Sequence, residues 1–138
     1  MLGAILADRQ ARGVLLIGDG SAQLTFQELG TMIRERLNPV IFLINNDGYT
    51  VERAIHGPQQ SYNDIQGYNW QLIPQALGAG DEVLTLSVST PEELLEATAL
   101  AEQAQDRMVF IEVRMNRDDV PQLLADIAAA ISNVNQRG

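Results

Sequence analysis

Residues 14–52 read VLLIGDGSAQLTFQELGTMIRERLNPVIFLINNDGYTVE, and this stretch decides the architecture. It holds two short apolar runs, Val14-Leu15-Leu16-Ile17 and Val40-Ile41-Phe42-Leu43-Ile44. Each is too short for a helix, is rich in branched side chains and is closed by Gly, Asn or Asp, the pattern of a strand buried on both faces. Parallel neighbours require a crossover, usually a helix, and residues 22–37 have the length and pattern for one. Both strands then end on the same edge of a sheet, the edge at which open α/β sheets bind ligands.

Outward from this unit the chain keeps alternating. Residues 2–11 are expected to form a short helix. Leu24–Leu37 carries Leu24, Phe26, Leu29, Met32, Ile33 and Leu37 near helical spacing. Asn38-Pro39 should end that helix, because the residue before proline avoids the helical region. Thr50–His56 reads as a short helix, 57–69 as an ordered loop, Trp70–Leu77 as another short helix and Val83–Val88 as a third strand. Thr90-Pro91-Glu92-Glu93 is a helix start: Thr90 can cap, Pro91 suits the first turn and Glu93 can close a capping box. That helix should reach about Gln105, and Met108–Val113 should be a fourth strand. Asp118 or Asp119 should cap a last helix that starts near Val120 and frays toward Gly138. Strands alternating with helices predict an α/β fold of three layers, α/β/α, with a mostly parallel sheet.

The two strand ends carry the chemistry. Gly18-Asp19-Gly20-Ser21 follows the first strand, and Asn45-Asn46-Asp47-Gly48 follows the second. A carboxylate at Asp19, an amide oxygen at Asn46 and a main-chain carbonyl near Gly48 form an all-oxygen set. Such a set suits Mg²⁺, which completes its octahedral shell with substrate phosphates and water. Gly18 and Gly20 lack a Cβ and allow close backbone approach to an anion. The amides of Gly20, Ser21 and Ala22 are placed to face a phosphate from a helix start, and Ser21 adds a hydroxyl. Taken singly, Gly-Asp-Gly-Ser and Asn-Asp-Gly are also ordinary turns. Their pairing at two strand ends favours a cation that bridges protein to a diphosphate.

Gly18 through Thr25 with Gln27-Glu28, Asn45 through Glu52, Ile55-His56-Gly57-Pro58 and Ser61-Tyr62-Asn63-Asp64-Ile65 together resemble the thiamine-diphosphate-dependent 2-oxo acid decarboxylases. That family includes the pyruvate, indolepyruvate, phenylpyruvate and branched-chain members. The resemblance covers nearly the whole chain and is most specific over 18–69. It implies the diphosphate-type domain of the thiamine-diphosphate-binding fold, spanning 1–138, and the conversion of a 2-oxo acid to an aldehyde and CO₂. By the resemblance Asp19, Asn46 and the Gly48 carbonyl would hold Mg²⁺. Gly18, Gly20, Ser21, Ala22, Tyr49, Thr50 and Val51 would neighbour the cofactor, and Glu52 matches the family's catalytic glutamate. Val51, Ile127 and Ile131 would face the substrate side chain. The family has three domains, so this chain would provide half a site. The other half would be a pyrimidine-binding domain, with its activating glutamate, from another subunit or chain of a homodimer or homotetramer. Turnover by this chain alone is not expected. A carboligase of the acetolactate-synthase type and a non-catalytic phosphate-binding module are the competing readings.

Other residues have plainer readings beside these. Glu52 could be a solvated helix residue paired with Arg53 or Arg9. His56, the single histidine, could serve acid–base chemistry or be a hydrogen-bonded structural residue. Trp70, Tyr62 and Tyr68 read as packing or interface residues.

A length of 138 residues fits one domain with a real core. Nine arginines against eighteen acidic residues give a net charge of −9, which disfavours nucleic acid as a partner. A local metal can still outweigh that distant field for a diphosphate. No apolar run reaches the length of a membrane span, and the start, Met1 to Ala7 then Asp8, does not read as a secretory leader. With no cysteine present, these features lead to the expectation of a cytoplasmic protein.

Overall fold

The structure, a computed structural model, describes the backbone of residues 1–135 and side chains to residue 131. The strands are β1 (Val14–Gly18), β2 (Val40–Asn45), β3 (Val83–Val88) and β4 (Met108–Arg114). All pair in parallel, in the order β1-β2-β4-β3. Val14 lies opposite Val40, Val40 opposite Val109, and Leu84 opposite Val109. The helices are α1 (Leu2–Ala7), α2 (Asp19–Ala22), α3 (Glu28–Arg34), α4 (Thr50–His56), α5 (Ile73–Ala76), α6 (Pro91–Gln103) and α7 (Gln122–Asn135), with 3₁₀ turns at Ser61–Asn63 and Trp70–Leu72.

Strand order and handedness fix the layers. The chain steps in one direction across the sheet from β1 to β2 to β3, then back to β4. A right-handed crossover places connections of one direction on one face and the return on the other. Side chains of α1, α2, α3 and α5 accordingly pack with Ile41, Leu43, Trp70 and Phe110 on one face. Those of α6 pack with Val40, Val109 and Ile111 on the opposite face. Among the described residues no helix is long and apolar enough to cross a membrane.

All four strands and α4 form where expected; Trp70–Leu77 opens as a 3₁₀ turn before α5, α6 stops at Gln103, and three other helices differ more. The first stops at Ala7 because Asp8 turns extended and its carboxylate accepts from the Gln10 amide (3.0 Å), a local bond that competes with the helix. Of the expected Leu24–Leu37 helix only Glu28–Arg34 forms, as α3, and a separate single turn, α2, precedes the expected start. Between them the amides of Leu24, Thr25, Glu28 and Leu29 each bond three residues back, the tighter 3₁₀ spacing. This rotates Leu24 outward to 77% exposure. The stop also comes before Asn38-Pro39: Arg36 takes a left-handed φ of 51°, Leu37 donates to the Met32 carbonyl and Arg36 to that of Ile33, the Schellman ending. The last helix begins at Gln122, so neither Asp118 nor Asp119 caps it. Pro121 offers its carbonyl to Leu124 and Ala125, and Asn116 accepts from both aspartate amides. The expected fraying toward Gly138 lies outside the described residues. Trp70 is buried and stacks edge-on with Phe26 (6.5 Å), while Tyr68 sits 5.3 Å from Trp70. Tyr62 is exposed and takes no part in that packing.

Candidate active site

β1 and β2 end side by side, Gly18 opposite Ile44, so Asp19 leaves the sheet next to the Asn45–Gly48 turn. Asp19 is only 2% exposed. Its Oδ1 accepts from the Gly20 amide (2.8 Å) and its Oδ2 from the Gly48 amide (3.0 Å). Burial pushes the carboxyl pKa up, against the two amides that pull it down. No arginine or histidine ion-pairs with it among the described residues. A buried carboxylate of this kind is stabilised by a bound cation.

The turn beside it is held rigidly. Asp47 and Gly48 both have positive φ, 56° and 124°. Gly48 must be glycine, because a Cβ there would collide with the Asn63 carbonyl. The carbonyls of this turn are almost all used. Asn46 O accepts from Arg53 Nη1 (3.5 Å), Asp47 O from Arg53 Nη2 (2.6 Å) and Tyr49 O from the Arg53 amide (3.1 Å). The buried Gly48 carbonyl accepts nothing among the described residues. The Asn46 side-chain amide likewise makes no hydrogen bond among them. The Asn46 side-chain and Gly48 main-chain oxygens are thus unengaged among the described residues, and each Asp19 oxygen accepts one amide and keeps a further lone pair; together they make a hard-ligand set that fits Mg²⁺. No group of three or more His, Cys, Asp or Glu suited to a metal occurs among the described residues.

The other expected site residues fall as follows. Gly18 opens onto free space, so its lack of a Cβ leaves room for a ligand. Gly20 instead accommodates the Tyr49 ring: a Cβ would lie 2.5 Å from Tyr49 Cε1. Its amide is committed to Asp19 rather than to an anion. Ser21 is exposed, and the Ala22 side chain is in the core. Thr50 is buried and its hydroxyl donates to the Arg117 carbonyl (2.8 Å). Glu52 and His56 share one face of α4 at 3.4 Å, an ion pair only when the imidazole is protonated. Glu52 thus has neither of the arginine partners considered for it: Arg9 pairs with Glu35 and Arg53 with Asp64. Val51 and Ile127 are each about half exposed, on α4 and α7, which pack together; Ile131 is half-buried.

Sequence reasoning missed the frame behind the turn. Arg53, 4% exposed, binds Asp64 Oδ1 through Nη2 (2.8 Å), and Arg117 Nη2 binds the same oxygen. Asn63, fully buried, accepts the Tyr49 amide on its carbonyl (2.8 Å) and donates to the Gly57 carbonyl (2.8 Å). Beside these, Glu112 is buried on β4 and accepts from Asn45 (2.7 Å), Gln71 (3.0 Å) and Ser87 (3.3 Å). The one signal for Arg53 was its place three residues after Thr50, on the same helix face.

Comparison with known proteins identifies the family of the chain. Residues 1–113 match the family described as thiamine pyrophosphate enzyme, C-terminal TPP binding domain. Alpha-keto-acid decarboxylase of Mycobacterium avium (strain 104) is 53% identical over 131 residues, covering 95% of this chain and 23% of that protein. The protein of the same name from Mycobacterium tuberculosis (strain ATCC 25618 / H37Rv) is 49% identical over the same length. The chain thus spans about a quarter of the length of these curated relatives. In three dimensions it is similar to benzoylformate decarboxylase from Polynucleobacter necessarius, with a TM-score of 0.70 and 24% identity over 87% of this chain and 22% of that one. That likeness is one of fold: a parallel sheet with flanking helices. The chain therefore belongs to the thiamine pyrophosphate enzyme C-terminal TPP-binding domain family.

Proposed function

We propose that residues 1–138 form the diphosphate- and metal-binding domain of a thiamine-diphosphate-dependent 2-oxo acid decarboxylase, a carboxy-lyase that releases CO₂ and an aldehyde. The observation that carries this reading is the buried Asp19 carboxylate, without a cationic partner among the described residues, beside the uncommitted Gly48 carbonyl. Asp19, Asn46 and the Gly48 carbonyl would hold Mg²⁺, and the open space at Gly18 with the exposed Ser21 would admit the diphosphate. When bound, thiamine diphosphate supplies the electron sink for the pair released as CO₂ departs. Glu52, at the exposed face of α4, would hold a proton for delivery to the substrate-derived carbon, with His56 within 3.4 Å as its proton partner. Val51, Ile127 and Ile131 would line the substrate side of the site, and their modest bulk suits branched-chain or aromatic 2-oxo acids. The pyrimidine-binding domain of another subunit or chain would complete the site in a cytoplasmic homo-oligomer, and this chain alone would give no turnover. The names of the Mycobacterium relatives support the reaction class.

Calorimetric titration of the chain with thiamine diphosphate tests the reading. Binding should require Mg²⁺, should be far weaker for thiamine monophosphate, and should fall at least about tenfold in Asp19→Asn, which removes the ligand charge. Equal binding of the mono- and diphosphate would overturn it.

A further inference from the structure

The turn that carries Asn46 and Gly48 has four carbonyls, and one residue engages three of them. Arg53 Nη1 reaches Asn46 O at 3.5 Å, Nη2 reaches Asp47 O at 2.6 Å, and the Arg53 amide reaches Tyr49 O at 3.1 Å. The turn's amides are assigned as well, Gly48 to Asp19 Oδ2 and Tyr49 to Asn63 O. Of the four carbonyls, Gly48 O alone accepts nothing among the described residues. The guanidinium is itself fixed, because its Nη2 also binds Asp64 Oδ1, an oxygen that Arg117 also holds. A guanidinium is a rigid fork of donors, so the two carbonyls it gathers are turned together toward α4. They are thereby withdrawn from the strand edge where Asp19 lies.

We propose that Arg53 is a positioning residue that selects the metal-facing oxygen of the turn: it removes the Asn46 and Asp47 carbonyls from competition and leaves the Gly48 carbonyl for the cation, with Asp64 as its orienting partner. The inference rests on the diphosphate–metal reading of this site and adds to it a device for metal choice. Mg²⁺ demands near-ideal octahedral geometry, whereas Ca²⁺ accepts six to eight oxygens in flexible arrangements. A turn with all four carbonyls free would favour the larger ion.

The test is calorimetric titration of the full chain with thiamine diphosphate, in Mg²⁺ and separately in Ca²⁺, for wild type, Arg53→Met, Arg53→Lys and Asp64→Asn, with the melting temperature of each. Arg53→Met should lose at least about tenfold in the Mg²⁺ titration and less than about threefold in Ca²⁺. Arg53→Lys, which keeps the charge but not the fork, should fall between, and Asp64→Asn should shift the Mg²⁺/Ca²⁺ ratio in the same direction. Equal losses for the two ions, tracking melting temperature, would reduce Arg53 to a structural residue and overturn the inference. So would unchanged binding in every variant. Failure of the wild type to bind thiamine diphosphate with either ion would instead overturn the underlying reading of the site.

Discussion

Asp64 is the residue whose charge the frame behind the Asn46–Gly48 turn uses most heavily, since Arg53 and Arg117 share one of its oxygens. The hydrogen bond from Arg53, then the charges of Arg117 and Arg53, hold its carboxyl below the ordinary aspartate value. The sign of the consequence follows from linkage. A carboxyl with a depressed folded-state pKa contributes stability that is fully present above its unfolded pKa, about 4, and is lost as pH falls through the lower folded value. Asp64→Asn should therefore melt below the wild type at neutral pH, and the gap should close as pH falls below about 4. Melting curves from pH 7 to pH 2.5 check this; a gap that stays constant across the range would show that the pair contributes through shape rather than charge. Because Asp64 is more than half exposed, solvent and salt screen the effect, and added salt should narrow it at every pH.

Among the elements, α6 is the one built most completely from its own sequence. Thr90 Oγ1 accepts from the Glu93 amide (3.2 Å), Glu93 Oε2 accepts back from the Thr90 amide (3.2 Å) and also from Ser89 (2.6 Å), and Pro91 opens the first turn. Thr90→Ala removes the cap from a 13-residue helix that covers β3 and β4, and should cost about 1 kcal/mol. Chemical denaturation should show this as a lower midpoint with an unchanged slope; a midpoint within error of wild type would mean the cap is redundant. What made this cap readable also marks where sequence reading stopped. Capping boxes and strand runs depend on neighbours a few positions away, so β1 to β4, α4 and the start of α6 emerge from local pattern. The Leu24–Leu37 assignment failed because the apolar spacing of Leu24 counted as a buried face, while 3₁₀ turns that no periodicity encodes turned it to solvent. The strand-end positions of Asp19 and Asn46 were legible because each lies two residues past an apolar run. Arg53 and Asp64, 11 residues apart, and Asp64 and Arg117, 53 apart, were not, because only the folded chain brings those charges together.

Across the whole molecule the two faces of the sheet are unequally covered. One carries α1, α2, α3 and α5 from β1 across to β3; the other carries α6 over β3 and β4. On that second face β1 presents Val14 at 60% and Leu16 at 70% exposure, next to the partly buried Phe42 of β2. β1 is also an edge strand, with no partner on its outer side among the described residues. An apolar face beside an open edge is a template for association. Full burial of one such side chain is worth about 1.5–3 kcal/mol, so pairing two copies through Val14 and Leu16 outweighs a modest repulsion. That repulsion is real, because each chain carries a net charge of −9, and it is the part that salt removes. The isolated chain should therefore self-associate more strongly as salt is raised. Leu16→Glu, which places a charge on the uncovered face and touches none of the site residues, should restore the monomer while leaving the Mg²⁺-dependent titration unchanged. Sedimentation at two salt concentrations decides the matter: a wild-type chain that stays monomeric in high salt would show that the Val14–Leu16 face is too small to drive assembly and that the open edge is protected by charge alone.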